Sequence, residues 1–187
     1  MMKQILLSIA TCLFITILQT IACAQGKMST VFLLEDAKSN EWCAFKTEAL
    51  WQTAVQNSGS LTVGKLVYSD NHLFEIDMTQ AAESGDWIIY DRYFLNTSKQ
   101  VVKLRRTINI LPGDRSVSER FSLANGKARK IQVSSKQLST GKLLKSPKPI
   151  WLPELPINTT TKMFPFASLL DHIDIAMDNK VCAKSKR

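Results

Sequence analysis

Between Ser60 and Leu138 the chain repeats one pattern, a run rich in β-branched and aromatic side chains followed by a few turn-forming residues. The runs cover residues 61–69, 73–79, 86–95, 101–111, 116–123 and 128–138. Asp70-Asn71, Ala82-Glu83-Ser84-Gly85, Asn96-Thr97-Ser98, Pro112-Gly113-Asp114 and Asn125-Gly126 separate them, and each break has the chemistry of a tight turn. Connections this short cannot carry a parallel crossover, so successive strands must lie antiparallel. The stretch 60–140 is therefore read as a six-stranded antiparallel meander.

Alternation fixes much of the register. Val102, Leu104, Ile108 and Ile110 share a face of the fourth run, Val117, Phe121 and Leu123 of the fifth, and Ile131 and Val133 of the sixth. A two-residue Asn125-Gly126 turn pairs Phe121 with Lys130 and sets the apolar groups on opposite faces. A three-residue loop, Ala124-Asn125-Gly126, pairs Val117 with Val133 and restores one apolar face, so it is expected. Arg106 and Glu119 interrupt that face, and a loop at 112–115 makes them diagonal neighbours. They form either an ion pair near the sheet edge or a polar anchor in a ligand cavity. The simplest hairpin register places Asp91 opposite Arg105 as a cross-strand ion pair.

The third run is apolar on both faces, with Ile88, Tyr90 and Phe94 on one side and Trp87, Ile89, Tyr93 and Leu95 on the other. Such a strand is covered twice or sits in a curled sheet, which calls for a packed helix. One source lies in residues 25–59. There Cys43, Phe45, Ala49, Trp51 and Val55 alternate as in a strand, but residues 47–56 hold many helix formers and Asn40 or Ser39 is available as a cap. The other source is 166–178, where Phe166, Leu169, Leu170, Ile173, Ala176 and Met177 form a helical stripe. A Pro-rich connector within 141–187, carrying Pro147, Pro149, Pro153 and Pro156 together with Trp151, leads into it. The fold class expected is α+β, mainly β: a single domain with the meander, flat or curled, and one or two packed helices.

Location follows from the first 24 residues. Lys3, an apolar stretch from Ile5 to Ile21 and Ala22-Cys23-Ala24 are the three parts of a secretory signal, with cleavage before Gln25. The alternatives are an uncleaved anchor or acylation at Cys23, either of which ties the chain to a membrane. Cleavage leaves no stable transmembrane span and keeps two cysteines, Cys43 and Cys182. In an oxidising compartment these are expected to form a disulfide.

The net charge is +8, and its basic residues concentrate between Lys99 and Lys148. Export makes nucleic acid an unsuitable partner and directs attention to an anionic envelope component, with Lys103, Arg105, Arg120 and Lys130 as candidate contacts. The sequence has no HxxxH, no CxxC, no Gly-rich phosphate loop and no dinucleotide fingerprint, so no metal or cofactor is expected. Neither His72 nor His172 stands in a hydrolase motif. Glu75, Asp77, Glu83, Asp86 and Asp91 are the acids from which a glycosidase pair would be drawn. The leading reading is a non-enzymatic exported binding or structural module. An envelope-polymer hydrolase using these acids and a carrier of apolar ligands are the alternatives.

Overall fold

The computed structural model describes residues 27–145, 156–173 and 179–185. The expected signal segment 1–24, most of the Pro-rich connector and the last part of the expected tail helix lie outside the described residues. The elements run β1 (Met28–Asp36), β2 (Glu41–Phe45), α1 (Glu48–Ser58), β3 (Thr62–Ser69), β4 (His72–Ala81), β5 (Trp87–Leu95), β6 (Val101–Ile110), β7 (Arg115–Ala124), β8 (Lys127–Gln137), α2 (Ala167–Leu170) and β9 (Lys180–Lys184). The six-stranded meander is present as β3 to β8, each strand beside the next.

The sheet nevertheless has nine strands, in the order β8-β7-β6-β5-β4-β3-β1-β2-β9. The segment expected to pack on the sheet instead extends it: β1 pairs with β3, and β2 pairs with β1, all antiparallel. Both readings of residues 42–56 hold in part, because the alternating Glu41–Phe45 is a strand and the helix begins at Glu48. Its cap is Thr47, whose hydroxyl accepts from Leu50 N, and neither Asn40 nor Ser39 serves. Since β2 and β3 flank β1, the chain between them must cross it, and α1 does so on one face.

That face is the outer one. There Trp51, Ala54 and Val55 of α1 pack on Phe32, Leu34, Cys43 and Phe45. The inner face carries the main core, in which Leu33, Leu66, Ile76 and Leu104 meet Phe164, Phe166 and Leu169 of the tail segment. Trp42 lies edge-on to Phe166 at 5.1 Å and Tyr93 edge-on to Phe164 at 4.9 Å, the favoured arrangement of aromatic quadrupoles. Gly64 sits in this core, where an added Cβ would lie 2.9 Å from Asp77 O and 3.1 Å from Met78 Sδ. The expected tail helix is one turn among the described residues, and Lys180–Lys184 form β9. β9 pairs with β2, and Cys43 stands directly opposite Cys182 with their disulfide formed.

Two register expectations are overturned. The Asn125-Gly126 turn has two residues, both at positive φ, and pairs Phe121 with Lys130 and Val117 with Ser135. The conflict between faces is relieved by a β-bulge between Arg120 and Phe121 and not by a longer loop. Ile131 is the extra residue and is 57 % exposed, while Val133 comes to stand opposite Glu119. Asp91 faces Arg106 and not Arg105, which stands opposite Arg92. No helix among the described residues is long and apolar enough to cross a membrane.

Candidate anion-binding face

Residues directly opposite on neighbouring strands share a face. One outer row therefore reads Phe32, Lys65, Asp77, Arg92, Arg105, Arg120 and Gln132 from β1 to β8. Three arginines stand side by side on β5, β6 and β7. Like charges directly opposite destabilise a sheet, so their neighbours matter.

Arg92 is compensated. Its Nε donates to Asp77 Oδ1 at 2.8 Å, a second nitrogen donates to Oδ2 at 3.2 Å, and Glu75 lies 3.6 Å away. The Asp77 hydrogen bonds hold the Arg92 guanidinium above its usual range despite partial burial. Burial in turn raises the Glu75 carboxyl, Asp77 adds to that, and Arg92 and Arg105 oppose it. Arg105 and Lys103 each lie 5.3 Å from the Phe94 ring centre, a cation–π arrangement. These cations cover Phe94 where a helix was expected, because α1 packs over β1 and β2 and leaves Tyr90 42 % exposed.

Toward the β8 edge the outer face is basic and hydroxylated. Ser118, Ser122, Arg129, Ser134 and Lys136 surround Arg120. Glu119 is the only acid in β6, β7 and β8, and it points to the inner face. Of the four cations singled out in the sequence, Lys103, Arg105 and Arg120 share this face. Lys130 does not: opposite Phe121, it lies on the inner side, where its ammonium donates to Glu119 and sits 5.4 Å from the Phe121 ring.

A groove of about 370 Å³ opens at the α1 end of the row, lined by Trp51, Lys65, Asp77, Tyr90, Arg92 and Arg105. Its helix wall is fixed, since Trp51 donates its indole N–H to Leu33 O at 2.9 Å and packs on Phe32. Lys65 Nζ is held 5.2 Å from the Phe32 ring and 5.7 Å from that of Trp51. Sequence reading missed Lys65, Arg92, Trp51 and Tyr90 as a group. Their alternation was visible, but only the order β1-β3-β4-β5 and its register bring them together.

The inner face holds the expected polar pair in a different arrangement. Arg106 and Glu119 are directly opposite and not diagonal. The Arg106 guanidinium makes a bidentate pair with Asp91, at 2.7 and 2.6 Å, and Tyr93 donates to the same carboxylate at 3.1 Å. Burial works against the Arg106 charge, but the hydrogen bonds and field of Asp91 outweigh it and hold the guanidinium above its usual range. Burial pushes the Tyr93 hydroxyl up strongly, and the Asp91 charge adds to it. Arg106 and Asp91 border a cavity of about 230 Å³ lined also by Pro156, Asn158, Met163 and Pro165. His72 and Asp171 instead border a wider depression of about 550 Å³ beside the 161–173 segment. Glu83 and Asp86 belong to the β4–β5 turn, where Ser84 donates to Asp86. Comparison with known proteins gives no match to a family model, a curated protein or a solved structure.

Proposed function

We propose that the protein is an exported, non-enzymatic binding module that attaches through the outer face of β5 to β8 to an anionic component of the envelope or secreted matrix. The observation that carries this reading is the outer row Arg105 and Arg120 on adjacent strands, beside the Asp77-bound Arg92, with no acid on the outer face of β6 to β8. Such a row lowers the stability of the free sheet, and an anion laid across it removes that penalty. The Cys43–Cys182 disulfide supports export, since such bonds persist in oxidising compartments. An apolar-ligand carrier is less well supported. The inner cavity, at about 230 Å³, is bordered by charged Asp91 and Arg106, whereas ligand sites run to roughly 300–1,000 Å³ with predominantly apolar walls.

The test is retention on immobilised polyphosphate across a salt series. Retention is expected to fall steeply as salt screens the contacts, and Arg105→Gln with Arg120→Gln to weaken low-salt binding by about tenfold or more, roughly 1.4 kcal/mol. Salt-independent retention, or none at low salt, overturns the reading. A second reading, an envelope-polymer hydrolase, draws on Glu75 and Asp77, which share the outer face beside Arg92. It requires bond cleavage that Glu75→Gln abolishes.

A further inference from the structure

The groove beside α1 differs in chemistry from the rest of the basic face, and the difference identifies its occupant more narrowly. We infer that it binds one ring of an acidic polysaccharide, a carboxylate-bearing pyranose, whose polymer continues over Arg105 and Arg120. This inference rests on the anionic-surface reading and goes beyond it.

Charge complementarity comes first. Lys65, Arg92 and Arg105 border the groove. Lys65 lies 3.8 Å from Glu48 and Arg92 is bound to Asp77, so Arg105 carries the complementarity to an anion and Arg120 continues it on the next strand. A guanidinium offers a planar fork of donors that matches a carboxylate. Charge alone would serve phosphate as well, so the other walls decide. Tyr90, 42 % exposed in the floor, and Trp51 on the helix side present aromatic surface. An inorganic polyanion has no apolar face to lay on them, whereas a pyranose has a ring face of C–H groups. Thr79 and Thr107 supply hydroxyls, and Asp77 keeps acceptor capacity beyond its bonds to Arg92. Asp77 thus offers an acceptor to sugar hydroxyls, which a polyphosphate, having no hydroxyl donors, cannot use.

The shape separates a polymer from a bilayer. α1 stands on the same face as the groove, so a planar membrane resting on the helix is held off the floor where Tyr90 and Asp77 lie. A single extended chain reaches it. Neighbouring strands are about 4.8 Å apart, so the arginines recur across the sheet at a spacing comparable to the advance per residue of an extended pyranose polymer.

The experiment is calorimetric titration of the purified protein with a short oligouronate, its neutral counterpart with hydroxymethyl in place of carboxylate, and tripolyphosphate. Anionic phosphatidylglycerol vesicles are assayed alongside by co-sedimentation. The oligouronate is expected to bind at least tenfold more tightly than either soluble competitor. Tyr90→Ala is expected to weaken oligouronate binding at least tenfold and so remove that preference. Tyr90 and Arg105 are exposed, and near-ultraviolet dichroism with an unchanged thermal midpoint verifies that Tyr90→Ala and Arg105→Gln fold. Trp51 is left intact because it packs on Phe32. Equal binding of oligouronate and tripolyphosphate, indifferent to Tyr90→Ala, overturns the saccharide inference and leaves the anionic-surface reading standing. Binding to vesicles alone overturns it in favour of a membrane surface. Failure of every anion, polyphosphate included, overturns both. Release of new reducing ends from the oligouronate, lost in Glu75→Gln, supports a saccharide occupant while overturning the non-enzymatic reading.

Discussion

Arg106 and Asp91 lie on the inner face with side chains only 6 % and 9 % exposed. Two desolvated charges hold one another, and Tyr93 fills a further acceptor site. Such a pair adds little net stability over an apolar equivalent, but removing one partner strands the other charge in the core. Asp91→Ala is therefore expected to cost about 3–5 kcal/mol. Asp91→Leu combined with Arg106→Met should recover most of that, because Glu119 keeps Lys130 as its partner. Urea denaturation of the parent and the two variants decides this, and a double variant as unstable as Asp91→Ala contradicts it. Asp114 acts through hydrogen bonds at an exposed turn. Ser139 Oγ and Gln137 Nε2 each donate to it at 2.7 Å, which lowers its carboxyl below the ordinary value of 3.8. A depressed folded-state pKa stabilises above the unfolded value, and the contribution is lost as pH falls through the folded one. The thermal midpoint should accordingly drop as pH falls through and below the ordinary carboxylate range, and less steeply in Asp114→Asn.

The β7–β8 hairpin shows what a local device does to an element. Asn125 and Gly126 both take positive φ, the two-residue turn whose twist suits antiparallel strands. A Cβ at Gly126 meets nothing within 4 Å, so its replacement costs backbone strain and no clash. Gly126→Ala is expected to lose about 1–2 kcal/mol, with hydrogen exchange accelerated first in the hairpin; an unchanged exchange pattern argues against it. The bulge at Ile131 then turns Val133 inward and Lys136 outward, while Arg129, ahead of it, stays on the outer face. Element and site are thus linked, since this single extra residue sorts the cations of β8 between the two faces. It also roughens an edge strand already studded with Lys127, Lys130 and Lys136, which discourages pairing with another sheet.

At the scale of the molecule, the chain closes on itself through the opposite edge. β9 adds to β2, and the disulfide joins positions 139 residues apart. A cross-link over so long a loop restricts the unfolded chain strongly, on the order of 4–5 kcal/mol in the chain-entropy account. Cys182→Ser should lower unfolding stability by an amount of that order, and reductant should then have no further effect on the melting curve. A variant melting like the parent would show that β9 holds without the bond. The two halves of the molecule are otherwise specialised, with α1 covering the outer face over β1 and β2 and cations occupying it over β5 to β8.

The sequence by itself determined the meander from β3 to β8, because short polar breaks between alternating runs admit only antiparallel neighbours. It also pointed to the pairing of Cys43 with Cys182, once the expected signal segment is set aside, since two cysteines leave one choice. Tertiary structure alone decided the rest. β1 and β2 joined the sheet because their apolar residues needed both the tail aromatics and α1 as cover. The two-residue turn, and with it the side on which Lys130 lies, and the bulge that follows were settled by competition between a favourable turn and burial of one face, energies that a strand pattern does not rank. The grouping of Lys65, Asp77, Arg92 and Arg105 depends on the register of four strands at once. A one-residue slip in any of them turns its side chain to the other face.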